Sequence, residues 1–285
     1  MAHKFFIRQN GLVAPTPLGE GFITYWDTEQ RTGWRNTNEV GSNVNTISLR
    51  LNQSYTYDCD IYWGDGAVSG LTNPVSLTIG HVYDVPGKYY ITIIGRFGGF
   101  DFGATTLGDR MKILDVVQWD NVEFDSCFRM FQGCENLSVS AKDAPNLSGV
   151  TDMSYMFRAA RLTNSNLNHW DVSNIINMEG LFEGMFGFSS RPLNNWDVSN
   201  VTNMSYMFGG IVGGPQNQYF NRFNNNIDNW DVTSVTNMTY MFSNNRFFNR
   251  DLSGWCVEHI PSKPTGFDEN TDSWTLPKPD WGEPC

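Results

Sequence analysis

The chain has 285 residues, a formal net charge of −11, 17 % charged residues and 14 % aromatic residues. That balance excludes a disordered acidic chain, which is rich in charge and poor in aromatics. The missing positive charge argues against nucleic acid and anionic membrane surfaces as partners. No stretch reaches the roughly 20 apolar residues of a membrane helix, so no membrane insertion is expected.

In chain order, residues 1–38 carry the apolar clusters FFI, LV and FITYW between Gly and Pro breaks. They contain too little to form a core alone, and they read as an anchor segment that a partner orders, so deleting them is expected to leave the remainder folded. The opening MAHKFFIRQNGLV shows no apolar core followed by a small-residue cleavage site, so no export signal is expected.

Residues 39–108 hold the short β-rich runs NTISLRL, TYDCDIYW, VSLTIGHVY and KYYITIIG, separated by Gly, Pro and Asp turns. Strands at this spacing predict a small antiparallel sandwich. The segment WGDG at Trp63–Gly66 reads as a turn in which Asp65 bonds its own backbone. No cofactor is expected. Calcium on Asp58, Asp60 and Asp65 is the weaker reading, because alternation accounts for the first two and the turn for the third. His81 reads as a satisfied structural histidine. No nucleophile accompanied by a base and an orienting acid is evident, so the chain is not expected to be an enzyme.

Residues 109–256 are organised by an internal repeat. The pair Met-Phe or Leu-Phe recurs at 130, 156, 181, 207 and 241. Three copies align closely: HWDVSNIINMEGLF from His169, NWDVSNVTNMSYMF from Asn195 and NWDVTSVTNMTYMF from Asn229. Two divergent copies precede them, from Gln118 and Asp143. A period of about 25 residues suits a leucine-rich-type solenoid of about five coils, each unable to bury its own apolar face. A strand is expected at Leu193–Val198 and a helical turn at Asn203–Phe208, with Asn203 as its cap and Met204, Met207 and Phe208 on one inward face. Because they recur in each coil, Trp170, Trp196, Trp230, Met207, Phe208, Met241 and Phe242 read as core packing rather than ligand contacts. The aspartates after the tryptophans (Asp171, Asp197, Asp231) occupy equivalent environments, whereas glycosidase chemistry needs two unlike carboxylates, so turn hydrogen bonding is expected of them. The long interval after Phe208 marks an insertion extending from one edge, whose candidate binding residues are Gly209, Gln216, Tyr219, Phe220, Arg222 and Phe223.

Between Asp143 and Cys256 there are 20 asparagines, six arginines and no lysine. Such a surface offers amide donors and acceptors, which suit neutral partners such as sugars or protein. The five cysteines are too few and scattered for a disulfide-dense scaffold, and with four histidines and no CxxC they form no zinc pattern. Cys59, Cys127 and Cys134 are expected as buried thiols.

Three resemblances rest on these residues. YWGDG…HVYDVPGKYYITIIG resembles the polycystic-kidney-disease-type immunoglobulin-like domain. The repeats WDVSNVTNMSYMF, and the ending LSGWCVEHIPSKPTGF…WGEPC, resemble BspA-like leucine-rich-repeat surface proteins. That ending implies a C-terminal cap over residues 257–285, with Cys256 and Cys285 close enough to bond. KFFIRQNGL resembles the opening of phage appendage proteins. Together they imply an α+β protein: an immunoglobulin-like β-sandwich followed by a repeat solenoid and its cap. The expected function is that of a non-enzymatic virion accessory protein, on head or tail, that displays an adhesive solenoid to a host surface protein or glycan. Residues 1–38 would then bind other virion structural proteins, and a homo-oligomer is compatible with this reading. A bacterial cell-surface adhesin is the alternative, with an extracellular location.

Overall fold

The computed structural model describes residues 7–9, 12–14, 19–30, 42–74, 76–103, 109–162, 165–185, 187, 192–211 and 221–285. Among these residues ten strands form in chain order: β1 Ile7–Gln9, β2 Leu12–Ala14, β3 Phe22–Asp27, β4 Thr46–Arg50, β5 Tyr57–Tyr62, β6 Val68–Thr72, β7 Thr78–Val82, β8 Lys88–Phe97, β9 Ile113–Gln118 and β10 Ser138–Val139. Among the described residues there is no α-helix, so the expected α+β class is corrected to an all-β architecture.

The largest sheet has the order β10-β9-β3-β8-β5-β6, and it is mixed: β9 and β10 run parallel while the other pairs are antiparallel. Two-stranded sheets form from β4 with β7 and from β1 with β2. In β5, alternation turns Tyr57, Cys59 and Ile61 inward and Asp58 and Asp60 to solvent. Ile47 and Leu49 of β4 join the same core.

This sheet overturns the expectation of a self-contained sandwich over 39–108. Strand β3 lies between β8 and β9, and Phe22, Ile23 and Trp26 are at most 2 % exposed. Residues 1–38 therefore do not form a detached anchor, because six of them build a central strand. At the other end, β9 and β10 carry the sheet past residue 108 and into the first repeat. One continuous hydrophobic core runs from Phe22 to Trp274. A buried ion pair ties the layers together: Lys112 Nζ lies 3.4 Å from the Asp109 carboxylate and donates to the Thr46 and Asn43 carbonyls, while Asp109 accepts the Ser48 amide.

The repeats fold differently from a leucine-rich solenoid, and the expected strand and helical turn are both absent. Leu193–Trp196 is a turn closed by the Trp196 amide on the Leu193 carbonyl, 3.1 Å. In the Met204–Gly209 segment every second amide closes a tight turn, Met207 to Met204 and Gly209 to Tyr206, whereas the intervening amides leave the repeat. Met204, Tyr206, Phe208 and Gly210 donate to Asn237, Thr239, Met241 and Ser243 of the next repeat. The same four-bond ladder joins Met153–Ala159 to Asn177–Glu183 and Met178–Gly184 to Asn203–Gly209. An α-helix keeps all its amides inside one segment. It fails because the residue before each Met-Phe or Leu-Phe pair is left-handed: Arg129, Tyr155, Gly180, Tyr206 and Tyr240 have φ of 55–58°. The product is a stack of β-turns linked by backbone hydrogen bonds and by the one-residue bridges Asp152–Asn177–Asn203–Asn237. No separate cap closes its end. Residues 257–285 carry on the same turns, the Phe242 amide bonding the Phe267 carbonyl, and Cys256 and Cys285 are joined in a disulfide across 5.4 Å between Cα atoms.

Candidate functional site

The turn stack has an inside and an outside, and the repeated residues divide between them. Inside, Phe131, Phe157, Phe182, Phe208 and Phe242 stack in succession, with centroids 5.6–6.0 Å apart. Trp196, Trp230 and Trp255 form a second file with centroids 6.4 and 6.5 Å apart and planes within 5°. The indole N–H groups of Trp196, Trp230, Trp255 and Trp274 each donate to a carbonyl one repeat back, at Leu167, Leu193, Ile227 and Arg250. Trp170 sits edge-on to Trp119 at 5.3 Å. Met207, Met241 and their counterparts are fully buried.

The aspartates after the tryptophans cap turns. Asp171, Asp197 and Asp231 each accept both the backbone N–H and the hydroxyl of the residue two further on, Ser173, Ser199 and Thr233. Asp152 and Asn203 start the next turn of their repeats in the same way. These bonds hold the Asp171 and Asp231 carboxyls below their usual value. Both therefore stabilise the fold at pH values above the ordinary carboxylate range of about 3.9, and their contribution is lost as pH falls through the lower folded-state values. We expect Asp171→Asn and Asp231→Asn to flatten the acid limb of a plot of thermal midpoint against pH, since Asn203 shows that an amide oxygen makes the same turn. An unchanged acid limb would show that other carboxylates dominate.

Of the insertion candidates, Gln216, Tyr219 and Phe220 lie outside the described residues. Two others are interior. Phe223 is 1 % exposed and lies flat on Phe208 at 3.9 Å, so an aromatic expected to contact ligand instead fills the core. Gly209 belongs to the ladder, its amide bonded to Tyr206 and its carbonyl accepting from Gly184. Arg222 is exposed, with its guanidinium 5.1 Å from the Phe247 ring centre.

Asp58, Asp60 and Asp65 do not converge. Asp65 accepts the Ala67 amide and pairs with His81 Nε2 at 2.6 Å, and His81 stacks on Trp63. Burial opposes ionisation of Asp65, but the His81 bond and charge together with the backbone hydrogen bonds, that of the Ala67 amide included, outweigh it and hold the carboxyl low. Among the described residues the one metal-like grouping is Cys256, Glu258 and Cys285, whose sulfurs are bonded to each other. Cys59, Cys127 and Cys134 are buried free thiols. Burial pushes the first two up to about 12 and the third higher still, so none is a ready nucleophile.

On the outside, the left-handed position carries Arg129, Tyr155, Tyr206 and Tyr240, each half-buried, with Gly180 in the repeat between Tyr155 and Tyr206. The Tyr155 ring lies over Gly180 and the Tyr240 ring over Gly266, where a methyl group would strike them. Tyr206 stacks on Tyr240 at 5.1 Å. Between Arg129 and Tyr206 lies an open depression, whose walls are completed by Gln132, Arg158, Glu179 and Glu183. Its two carboxylates are engaged. Glu179 accepts the Tyr155 hydroxyl and Asn203 Nδ2, and Glu183 accepts Arg158 Nε at 2.5 Å. Burial raises the Glu183 carboxyl despite Arg158, and burial together with Glu179 raises the Tyr155 phenol. The Arg129 guanidinium, by contrast, lies over the Phe128 ring at 4.4 Å, and its charge acts on Asp101. Sequence reasoning did not nominate this face. Its signal was the slot before each Met-Phe or Leu-Phe pair, where Arg, Tyr and Gly interchange although the pair that follows hardly changes.

No curated protein and no solved structure matches the chain. The family model described as "DUF285: Mycoplasma protein of unknown function" matches residues 125–212 and 216–278, a little over half of the chain and nearly the whole turn stack. On that match, the chain belongs to the DUF285 family.

Proposed function

We propose that the chain is a non-enzymatic adhesive protein that uses the outer face of its turn stack to hold a host surface protein or glycan. The observation that carries this reading is the row of side chains at left-handed positions. A backbone ladder bonded on both sides fixes their spacing, and the row presents tyrosine rings beside guanidinium and amide groups. Aromatic faces with polar neighbours on a rigid frame suit contact at low cost in side-chain entropy. The opening KFFIRQNGL favours a virion as the setting. The family description, which names Mycoplasma proteins, favours a bacterial cell surface. Detection of the protein in purified particles rather than in envelope fractions decides between them.

The stack itself supplies a clean variant. Gly180 and Gly266 occupy the slot that Tyr206 fills, so Tyr206→Gly keeps the backbone conformation. It relieves about 1 kcal/mol of left-handed strain and gives up a ring stack of similar worth. We expect its thermal midpoint to stay within a few degrees of the parent while retention on host cells or on a glycan array falls at least several-fold. Undiminished retention would remove this face from the function.

A further inference from the structure

Independently of the recognition face, residues 257–285 bring the last aromatic rings to the end of the turn stack. Trp274 lies edge-on to Phe248 and Phe242 at 4.7 and 5.3 Å, and Trp281 edge-on to Phe267 at 4.9 Å. The far end of this segment is held by the Cys256–Cys285 bond, which spans 29 residues of sequence, and by a long hydrogen bond from the Gly282 amide to the Val257 carbonyl, 3.4 Å. Cys256 is half-buried and Cys285 exposed, whereas Cys59, Cys127 and Cys134 are buried free thiols. A reductant in solvent therefore reaches this pair first. A disulfide persists in an oxidising medium, but a chain made inside a cell meets reducing thiols.

Beside the two sulfurs stands Glu258, and one of its carboxylate oxygens and both sulfur atoms all lie within 4.8 Å of one another. Glu258 is exposed, and the two lysines of this segment, Lys263 and Lys278, both pair with Asp268 instead. A tetrahedral zinc ion holds thiolate sulfur at about 2.3 Å and carboxylate oxygen at about 2.0 Å, which sets sulfur about 3.8 Å from sulfur and about 3.5 Å from oxygen. With Cα atoms 5.4 Å apart, two reduced cysteines reach that spacing by side-chain rotation, and the exposed Glu258 side chain closes the rest. We infer that Cys256, Cys285 and Glu258 form, in the reduced chain, a binding site for zinc, with water in the fourth position. Thiolate donors exclude calcium and magnesium, which take oxygen ligands. Two equivalents of a thiol reductant convert the disulfide to two thiols and leave as their own disulfide; zinc then displaces the two thiol protons, and Glu258 supplies an oxygen. A small-molecule disulfide takes the two electrons back, re-forms the sulfur–sulfur bond and frees the ion. The same pair thus fastens the end of the stack in either medium, by a covalent bond or by a metal clip.

The test uses the full chain, reduced with a phosphine, desalted without oxygen and titrated with zinc against a chromophoric chelator, or with cobalt(II) as an absorbing substitute. We expect the reduced chain to take up a single zinc ion and to give the sulfur-to-cobalt charge-transfer band of thiolate ligation, and the oxidised chain to do neither. Zinc should raise the thermal midpoint of the reduced chain by several degrees and leave that of the oxidised chain unchanged. Glu258→Gln should weaken zinc binding at least about ten-fold while keeping the cobalt band. Glu283→Gln, on an exposed acid of the same segment, should leave the affinity as it is. Cys256→Ser combined with Cys285→Ser should abolish uptake although Cys59, Cys127 and Cys134 remain. The site is overturned by a reduced chain that takes no zinc, by equal uptake in the oxidised chain, or by uptake that survives loss of both cysteines. Full affinity in Glu258→Gln overturns the three-ligand assignment. The comparison of reduced with oxidised parent protein needs no substitution, so a folding defect in a variant does not obscure the outcome.

Discussion

Removal of residues 1–38 is expected to unfold the protein, whereas removal of residues 1–18, which leaves β3 whole, is expected to preserve a cooperative melt. Strand β3 pairs with β8 through six residues and with β9 on its other side, so its loss splits the sheet in two. Phe22 and Trp26 are fully buried and Ile23 nearly so; Phe22 stacks on Trp119 at 5.2 Å. Full burial of each such side chain is worth about 1.5–3 kcal/mol. Together with the stranded hydrogen bonds of β8 and β9, the loss reaches the entire stability of an ordinary domain, about 5–15 kcal/mol. Circular dichroism and thermal melts of the two truncations check this. A cooperative melt for residues 39–285 alone would show that the sheet closes without β3.

Trp196→Ala is expected to cost about 3–5 kcal/mol, the range for truncating a large buried aromatic. The ring is 3 % exposed, stacks on Trp230 at 6.4 Å, lies 5.9 Å from Phe182 and donates its N–H to the Leu167 carbonyl at 2.7 Å. Substitution thus opens a cavity shared by three repeats and orphans a buried carbonyl. Because each repeat touches chiefly its neighbours, the damage should concentrate in the turns bearing Trp170, Trp196 and Trp230. Denaturant titration measures the loss, and hydrogen exchange locates it. A cost below about 1 kcal/mol would mean that the tryptophan file does not carry the stack.

The repeat and its inward residues were legible because periodic burial leaves a periodic sequence: the Met-Phe pairs and the tryptophans recur at the spacing at which their rings stack. The local conformation was not legible, since Met204, Met207 and Phe208 fall inward equally well from one helical turn and from two joined β-turns. What separated the two was the left-handed residue at Tyr206, and tyrosine is a poor indicator of that region; Gly180 and Gly266 in the same slot were the readable sign. The Asp-x-Ser and Asn-x-Ser steps pointed the same way, each being an Asx turn rather than a helix interior. Strand β3 was hidden for another reason. FITYWD is six residues long, and its partners lie in residues 88–97 and 113–118, a separation across which no local pattern reaches. The depression was missed because Arg129 and Gln132 come from the divergent first copy, where repeat alignment is weakest, and Glu179 and Glu183 from a third.

The claim that one outer face of the stack performs recognition is tested most directly by mapping amide chemical shifts of labelled protein against a glycan retained on the array. The account predicts shifts clustered at Arg129, Tyr155, Gly180 and Tyr206, with the Trp196 and Trp230 indoles unmoved. Shifts confined to Asn221–Asn226, beside the insertion, with none at Tyr206, would contradict it.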